Sequence, residues 1–437
     1  MMAGQLSWCG FLGLVASTLS NLGTWPFWSV VAVATEGNPS PEAATEGHCT
    51  FGKGGCAATA SADVPLRWRG KTYNSSRSLS IYGGEHAVEI FARVGFEGPV
   101  EDDEWDLLFT HHLMGRALAA VSPLPERQGR LVNHCQYFLA AGDKCKLSRH
   151  IARVEEYTAA SERSSPLDRP RFLRTFELGD NLQNEAWHKA MKSEPNRHWI
   201  IKPCIAGQSK GIELIRGRDF KVDRDQPRGR YVAQEFVERP FLGFGGRKFH
   251  LRLYVLVTRW DPPGVFMYDE GMLFRSERTY DPDRPSRQHD IFSGISKEVQ
   301  PHAFAALWSD LGEQETKMVR ERIVALLAEV MRGKTVEVTF GDPQSVDDRG
   351  YSCFDLFGAD VILDENLQPF LMEINQGPDL WVVGRGAEHE PFQRRLKGPL
   401  LQQLAHWVAL RVKAARHGHV DAWEVENEAL LNYTRVL

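Results

Sequence analysis

The stretch "DLFGADVILDENLQPFLMEIN", Asp355 to Asn375, decides how the rest of the chain is read. Two apolar runs flank a turn-like segment, the pattern of a β-hairpin. Side chains alternate between the faces of a strand, so Glu373 and Asn375 share one face while Met372 and Ile374 take the other. With the turn centred on Glu365 to Gln368, Asp364 pairs with Pro369 and Asp360 falls opposite Glu373. Opposed residues share a face, so Asp360, Glu373 and Asn375 converge. Two opposed carboxylates repel each other unless a cation lies between them. Oxygen ligands, few in number and beside an open site, suit Mg²⁺ completed by phosphate oxygens. The plainer reading is a strand end whose polar groups emerge into water at a turn.

Two further elements carry cations. In "RKFHLRLYVLV", Lys248, His250 and Arg252 line one face and Phe249, Leu251 and Leu253 the other. That suits a face laid over an anion; the alternative is the solvated face of a half-exposed sheet. In "WIIKPCIAGQSKGIELI", Lys202 ends an apolar strand and precedes a glycine-bearing loop. Such a loop can set an ammonium and backbone N–H groups against phosphates. The Walker pattern GxxxxGK[ST] is absent, and a hairpin with a snorkelling lysine is the alternative. Together the three elements supply what is needed to hold Mg²⁺-ATP.

At 437 residues the chain is expected to form two or three lobes. Its 42% hydrophobic and 25% charged residues are those of an ordinary globular protein. The net charge of -5 excludes attraction of nucleic acid by bulk charge and leaves only local basic patches for an acidic partner. Seven scattered cysteines, an odd count without a CxxC pair, argue against a disulfide framework or a zinc site and for a reducing compartment. His111, His112 and His289 read as surface or packing histidines. Residues 1–35 carry no charged side chain, yet their apolar runs are too broken for a membrane span and lack the positive start of a secretory signal. An atypical targeting segment is the other reading of that leader. "VEIFARVG" reads as a strand, "LQNEAWHKAMKSE", "ERIVALLAEVM" and "LLQQLAHWVALRVKAA" as helices. Strands and helices mix without strict βαβ alternation, so the fold class expected is α+β with antiparallel sheets. The organisation expected is a leader over 1–85, mostly disordered, an N-terminal lobe over 86–198, central and C-terminal lobes over 199–415, and a tail over 416–437.

The order and wording of these motifs resemble the tubulin tyrosine ligase-like proteins, members of the ATP-grasp superfamily. The matching stretches are "WIIKP" with "KGIELI", "YVAQEFVERPFLGFGGRKFHLRLYVLVT" and "FGADVILDENLQPFLMEINQGPDL", with weaker matches in "LVNHCQYFLAAGDKCKL" and "RTFEL". The likeness runs from about residue 87 to about 415. It implies an α+β ATP-grasp fold of mixed and antiparallel sheets with nucleotide bound between lobes. It implies that Lys202 and Lys248 contact the ATP phosphates, with Lys210 and His250 also in the nucleotide site. Gln234, Glu235 and Val237 would lie at the adenine pocket, and Arg252 would face the phosphates and an acyl phosphate. Arg275 looks like the family's arginine after the glycine of "EGMLF", one residue late. Asp360, Glu373 and Asn375 would hold Mg²⁺, with Arg252, Lys248 and Glu373 as the catalytic set.

The activity so implied is ATP-dependent amide formation through an acyl phosphate. Tyrosine, glutamate or glycine would be added to tubulin or another protein, in the cytoplasm, at the cytoskeleton or cilium. "RSERTYDPDRPSR", with Arg275, Arg278, Arg284 and Arg287, is a candidate contact for an acidic tubulin tail; a solvated surface loop is the alternative. Departures from the family pattern bear on activity. His250 replaces an aspartate, Ser209 a glycine and Glu235 a lysine, and "HDIFSGISK" aligns with the family's HLTN stretch only through His289 and Lys297. Two other readings stay open: a catalytically silent microtubule-binding protein, and a ligase acting on a small molecule.

Overall fold

The computed structural model of the protein describes residues 65–70, 82–101, 104–111, 130–135, 141–160, 169–207, 209–221, 229–260, 262–286, 290–291, 299–332, 336, 352–382, 389–416 and 422–437. Three sheets organise them. A parallel five-stranded sheet has β1 (Leu66–Arg69) between β2 (Phe96–Glu97) and β3 (Leu107–Leu108), followed by β4 (Leu131–Val132) and β13 (Ser352–Cys353). An antiparallel four-stranded sheet runs β5 (Thr175–Glu177), β8 (Tyr231–Glu235), β6 (His198–Pro203), β7 (Glu213–Arg216). The third, seven-stranded sheet is built on β9 (Arg247–Trp260), which pairs with β10 (Pro263–Tyr268), β11 (Met272–Thr279) and β14 (Asp355–Leu363). β12 (Val299–Ala303), β15 (Pro369–Gln376) and β16 (Tyr433–Arg435) complete it. The architecture is α+β, as the mixed pattern predicts, with one parallel sheet that the pattern did not reveal.

β9 explains why the cationic face stands where it does. Its odd positions, Phe249 through Val257, enter a core shared with α5 (Glu313–Val330). Its later even positions, Tyr254 and Leu256, enter a second core with α1 (Gly84–Arg93) and α6 (Glu390–Arg416). The even positions at its start, Lys248, His250 and Arg252, are instead charged or polar. The other α-helices among the described residues are α2 (Lys144–Ala160), α3 (Asn181–Ser193), α4 (Phe304–Leu311) and α7 (Ala422–Ala429). Among the described residues no helix is long and apolar enough to cross a membrane.

Four expectations change. "VEIFARVG" is helical: Ala87, Ile90 and Phe91 recur at helical spacing and are buried, and Gly83 starts the turn at φ 82°. The boundary after residue 85 falls too late, because Leu66 and Trp68 of β1 are 2% and 0% exposed inside the parallel sheet. A strand of four residues in polar surroundings gives little sequence signal. Residues 416–437 are more than a tail, since β16 closes an edge of β10 and the buried Glu426 of α7 accepts from Thr258 Oγ1 and Arg259 Nη1. Cys135 with Cys353, and Cys145 with Cys204, are bonded pairs with Cα atoms 5.2 Å apart in each. The argument from cysteine spacing for a reducing compartment therefore fails, because partners from distant segments meet only in the fold. Residues 1–64, His112, Arg287, His289 and Lys297 lie outside the described residues.

Candidate active site

The hairpin does oppose Asp360 and Glu373, though not by the regular register its turn predicts. Leu363, not Asp364, pairs with Pro369, and a shift between Asp360 and Val361 recovers the offset. Met372 is the extra residue of that bulge. On its other edge β14 sets Asp360 opposite Arg252 of β9. Arg252, Asp360 and Glu373 thus form a row across three adjacent strands. Arg252 grips Asp360 with two donors, Nε on Oδ1 and Nη2 on Oδ2 at 2.9 Å. Gly358 makes room for it, since a Cβ there would lie 2.9 Å from Arg252 Cδ. The Asn375 amide donates to Asp360 Oδ2 at 3.2 Å and to Glu373 Oε1 at 3.4 Å.

Asp360 and Glu373 of this row line one side of a cleft between the seven-stranded and four-stranded sheets, with about 760 Å³ of space including its open mouth. Lys202, Gln234, Glu235 and Val237 line it from the four-stranded sheet and its exit, and Lys248, His250, Asp360 and Glu373 from the other side. Lys202 Nζ donates to Gln234 Oε1 at 2.7 Å. Lys248 Nζ donates to the Asp290 carbonyl at 2.8 Å and sits 3.9 Å above the Phe236 ring. Burial pushes Lys202 down to about 8 and Lys248 to about 7. Burial likewise lowers His250 to about 3, with Arg252 adding to the effect, so its imidazole is neutral. Asp360 is raised by burial. Burial acts the same way on Glu373, but Lys144, Lys202 and Arg252 outweigh it and hold that carboxyl low.

Lys144 is the residue that sequence reasoning missed. It stands at the start of α2, whose first turn Asp143 caps by accepting from Cys145 N at 3.0 Å. Its Nζ lies 3.3 Å from Glu373 Oε2 and donates to the Ala206 carbonyl of the glycine-bearing loop at 2.9 Å. The only signal was its place in the weakly matching "AAGDKCKL". Two predicted residues are not brought in. Lys210 is exposed on the loop, outside the residues that line the cleft. Arg275 pairs with Phe249 in the β9–β11 register and so takes the core-side face, where it meets Glu277 at 2.9 Å and the Phe244 ring. Its one-residue lateness puts it there. Phe274 holds the site-facing place instead, its ring 5.2 Å from that of His250.

Asp360, Glu373 and Asn375 fit a hard divalent cation. Two carboxylates and an amide converge, and the amide presents its oxygen once turned over; both carboxylates are now held by cations, Arg252 and Lys144. The rest of the cleft, two lysines and a loop with Ser209 at φ 53° and Gly211 at φ 68°, fits the phosphates of a nucleotide.

Comparison with known proteins identifies the family. The profile of the tubulin-tyrosine ligase family matches residues 126–413. Tubulin monoglutamylase TTLL4 of Mus musculus is 25% identical over 359 residues, 78% of this chain and 27% of that protein. Tubulin polyglutamylase TTLL7 of Homo sapiens is 26% identical over 285 residues, 56% of this chain and 29% of that protein. The probable alpha-tubulin polyglutamylase Ttll1 of Tetrahymena thermophila is 27% identical over 323 residues, covering 66% of this chain and 76% of its own. The chain thus spans little more than a quarter of the length of the first two. With more than half of the chain matched, and the matched part containing the whole cleft, the chain belongs to the tubulin-tyrosine ligase family and has its ATP-grasp fold.

Proposed function

We propose that the protein is an ATP-dependent carboxylate–amine ligase that adds an amino acid, glutamate first among the candidates, to tubulin at the cytoskeleton or cilium. The single observation that carries the reading is one cleft in which Asp360, gripped by Arg252, and Glu373 stand with Lys248 on one sheet and face Lys202 of the other. The names of the relatives, tubulin mono- and polyglutamylases, support glutamate and tubulin. In this reading Gln234, Glu235 and Val237 border the adenine, with Glu235 held in place by Arg174 and Arg197. Lys202, Lys248 and Lys144 hold the phosphates. Mg²⁺, held by Asp360, Glu373 and Asn375, would neutralise phosphate charge. An acceptor carboxylate attacks the γ-phosphorus and releases ADP. The amine of the incoming amino acid then displaces phosphate, giving the amide. Arg252 steadies the charge of the acyl phosphate.

The test is incorporation of labelled glutamate, tyrosine and glycine into tubulin with Mg²⁺-ATP, using Glu373→Gln as control. Signal from one amino acid, lost in the variant, is expected. Equal signal in the variant would refute the assignment. A second reading, nucleotide binding without turnover, is favoured by one observation: Phe274 stands where an arginine would complete the cationic face. Tight nucleotide binding with no incorporation from any amino acid would select it.

A further inference from the structure

Two cysteines bracket the cations of the cleft. Cys145 directly follows Lys144 in the first turn of α2, and Cys204 directly follows β6, two residues after Lys202. Both are buried, 0% and 1% exposed, with Val232 as their apolar neighbour. Their Cα atoms are 5.2 Å apart, inside the range a disulfide requires. The same two segments are already joined on either side of the sulfurs. Lys144 N donates to Cys204 O at 2.9 Å, and Lys144 Nζ donates to Ala206 O at 2.9 Å. Asp143 lies within 4.8 Å of both sulfurs, but its carboxylate is committed to Arg230 at 2.8 Å and to the N–H groups of Cys145 and Lys146. That leaves the sulfurs to each other rather than to a metal ion. Ile205, next to Cys204, is 77% exposed, so a local opening of this loop brings the pair to solvent.

We propose that Cys145 and Cys204 are a redox-controlled positioning clamp for the nucleotide cleft, an inference that rests on reading the cleft as an ATP site. Joined, they tie the start of the glycine-bearing loop to α2 and keep Lys144 and Lys202 on either side of Glu373. The loop then loses less freedom when phosphates arrive. Reduced, the two segments are held by hydrogen bonds and packing alone. The oxidant is a low-molecular-weight disulfide such as oxidised glutathione. One cysteine thiolate attacks it, forming a mixed disulfide and releasing one thiol. The second cysteine displaces the other thiol, so two protons and two electrons leave the protein and the oxidant becomes two thiols.

The experiment uses the full chain, either reduced with dithiothreitol or oxidised with glutathione disulfide, each freed of reagent. Mass spectrometry locates the bond, and a fluorescent non-hydrolysable ATP analogue with Mg²⁺ reports affinity. The oxidised form is expected to bind about three- to tenfold more tightly, with slower release, as loop preorganisation gives. Cys145→Ser and Cys204→Ser should match the reduced protein under both conditions, whereas Cys135→Ser should keep the response. Equal affinity in the two wild-type forms, or failure of the 145–204 bond to form, would overturn the clamp alone. Absence of nucleotide binding in both forms would overturn the ATP-site reading and the clamp with it.

Discussion

Lys248 and Lys202 are ammonium groups without bulk water around them, and that sets how the cleft responds to pH. Burial lowers them to about 7 and about 8. Phosphates favour their charged forms, so binding above those values must take up protons. Nucleotide affinity should therefore fall as pH rises from 7 to 9, approaching tenfold per unit for each lysine left neutral. Calorimetry in two buffers of different ionisation enthalpy measures the uptake, and a flat profile with no uptake would contradict it. Lys144→Met tests the newly found cation. Without it, burial is opposed by fewer charges at Glu373, so the carboxyl titrates higher, and Mg²⁺-nucleotide affinity should drop about tenfold. Unchanged affinity would remove Lys144 from the site. These polar residues were legible where strand alternation alone placed them, as with Lys248 and Arg252. Lys144 was not, because its meeting with Glu373 depends on how α2 docks against β15.

At the scale of elements, the β14–β15 hairpin was readable because an apolar face and a polar face alternate on both strands. The bulge at Met372 was not readable, since nothing in "PFLMEIN" distinguishes a regular strand from one with an extra residue. α1 misled for the opposite reason: Val88 and Ile90 alternate over the few residues read, and only a longer window exposes the helical period. Register also governs Arg275. Exchanging the neighbours, as Phe274→Arg with Arg275→Phe, should place a guanidinium on the His250 face and raise nucleotide affinity several-fold, about 1 kcal/mol. Weaker binding by a folded variant would show that Phe274 is needed where it stands. The turn beyond Asn375 is similarly constrained. Gly377 has φ 54°, and a Cβ there would lie 2.2 Å from the His111 carbonyl oxygen. Gly377→Ala should cost about 1–3 kcal/mol in urea unfolding. A change below a few tenths would mean the turn moves freely.

For the whole molecule, sequence pattern conveyed the class of fold and the family resemblance supplied much of the cleft, but neither revealed that β1 belongs to the core. Leu66 and Trp68 belong to a core that also contains Leu396, Leu400 and Leu404 of α6. A chain begun at residue 80 should accordingly be insoluble or melt far below one begun at residue 60, as a thermal scan would show. The division of the cleft between two sheets has a further consequence. The row from Arg252 to Glu373 sits on one continuous hydrogen-bonded sheet between two cores, so it has little freedom to rearrange. Lys202 and Gln234 ride on the smaller sheet, which has its own small core around Trp187 and Trp199. In the proposed ligase, admission of one substrate and departure of another are then expected to fall to the smaller sheet, as a jaw against an anvil. The pace of turnover would be set by that jaw's opening rather than by any adjustment among the groups that perform the chemistry.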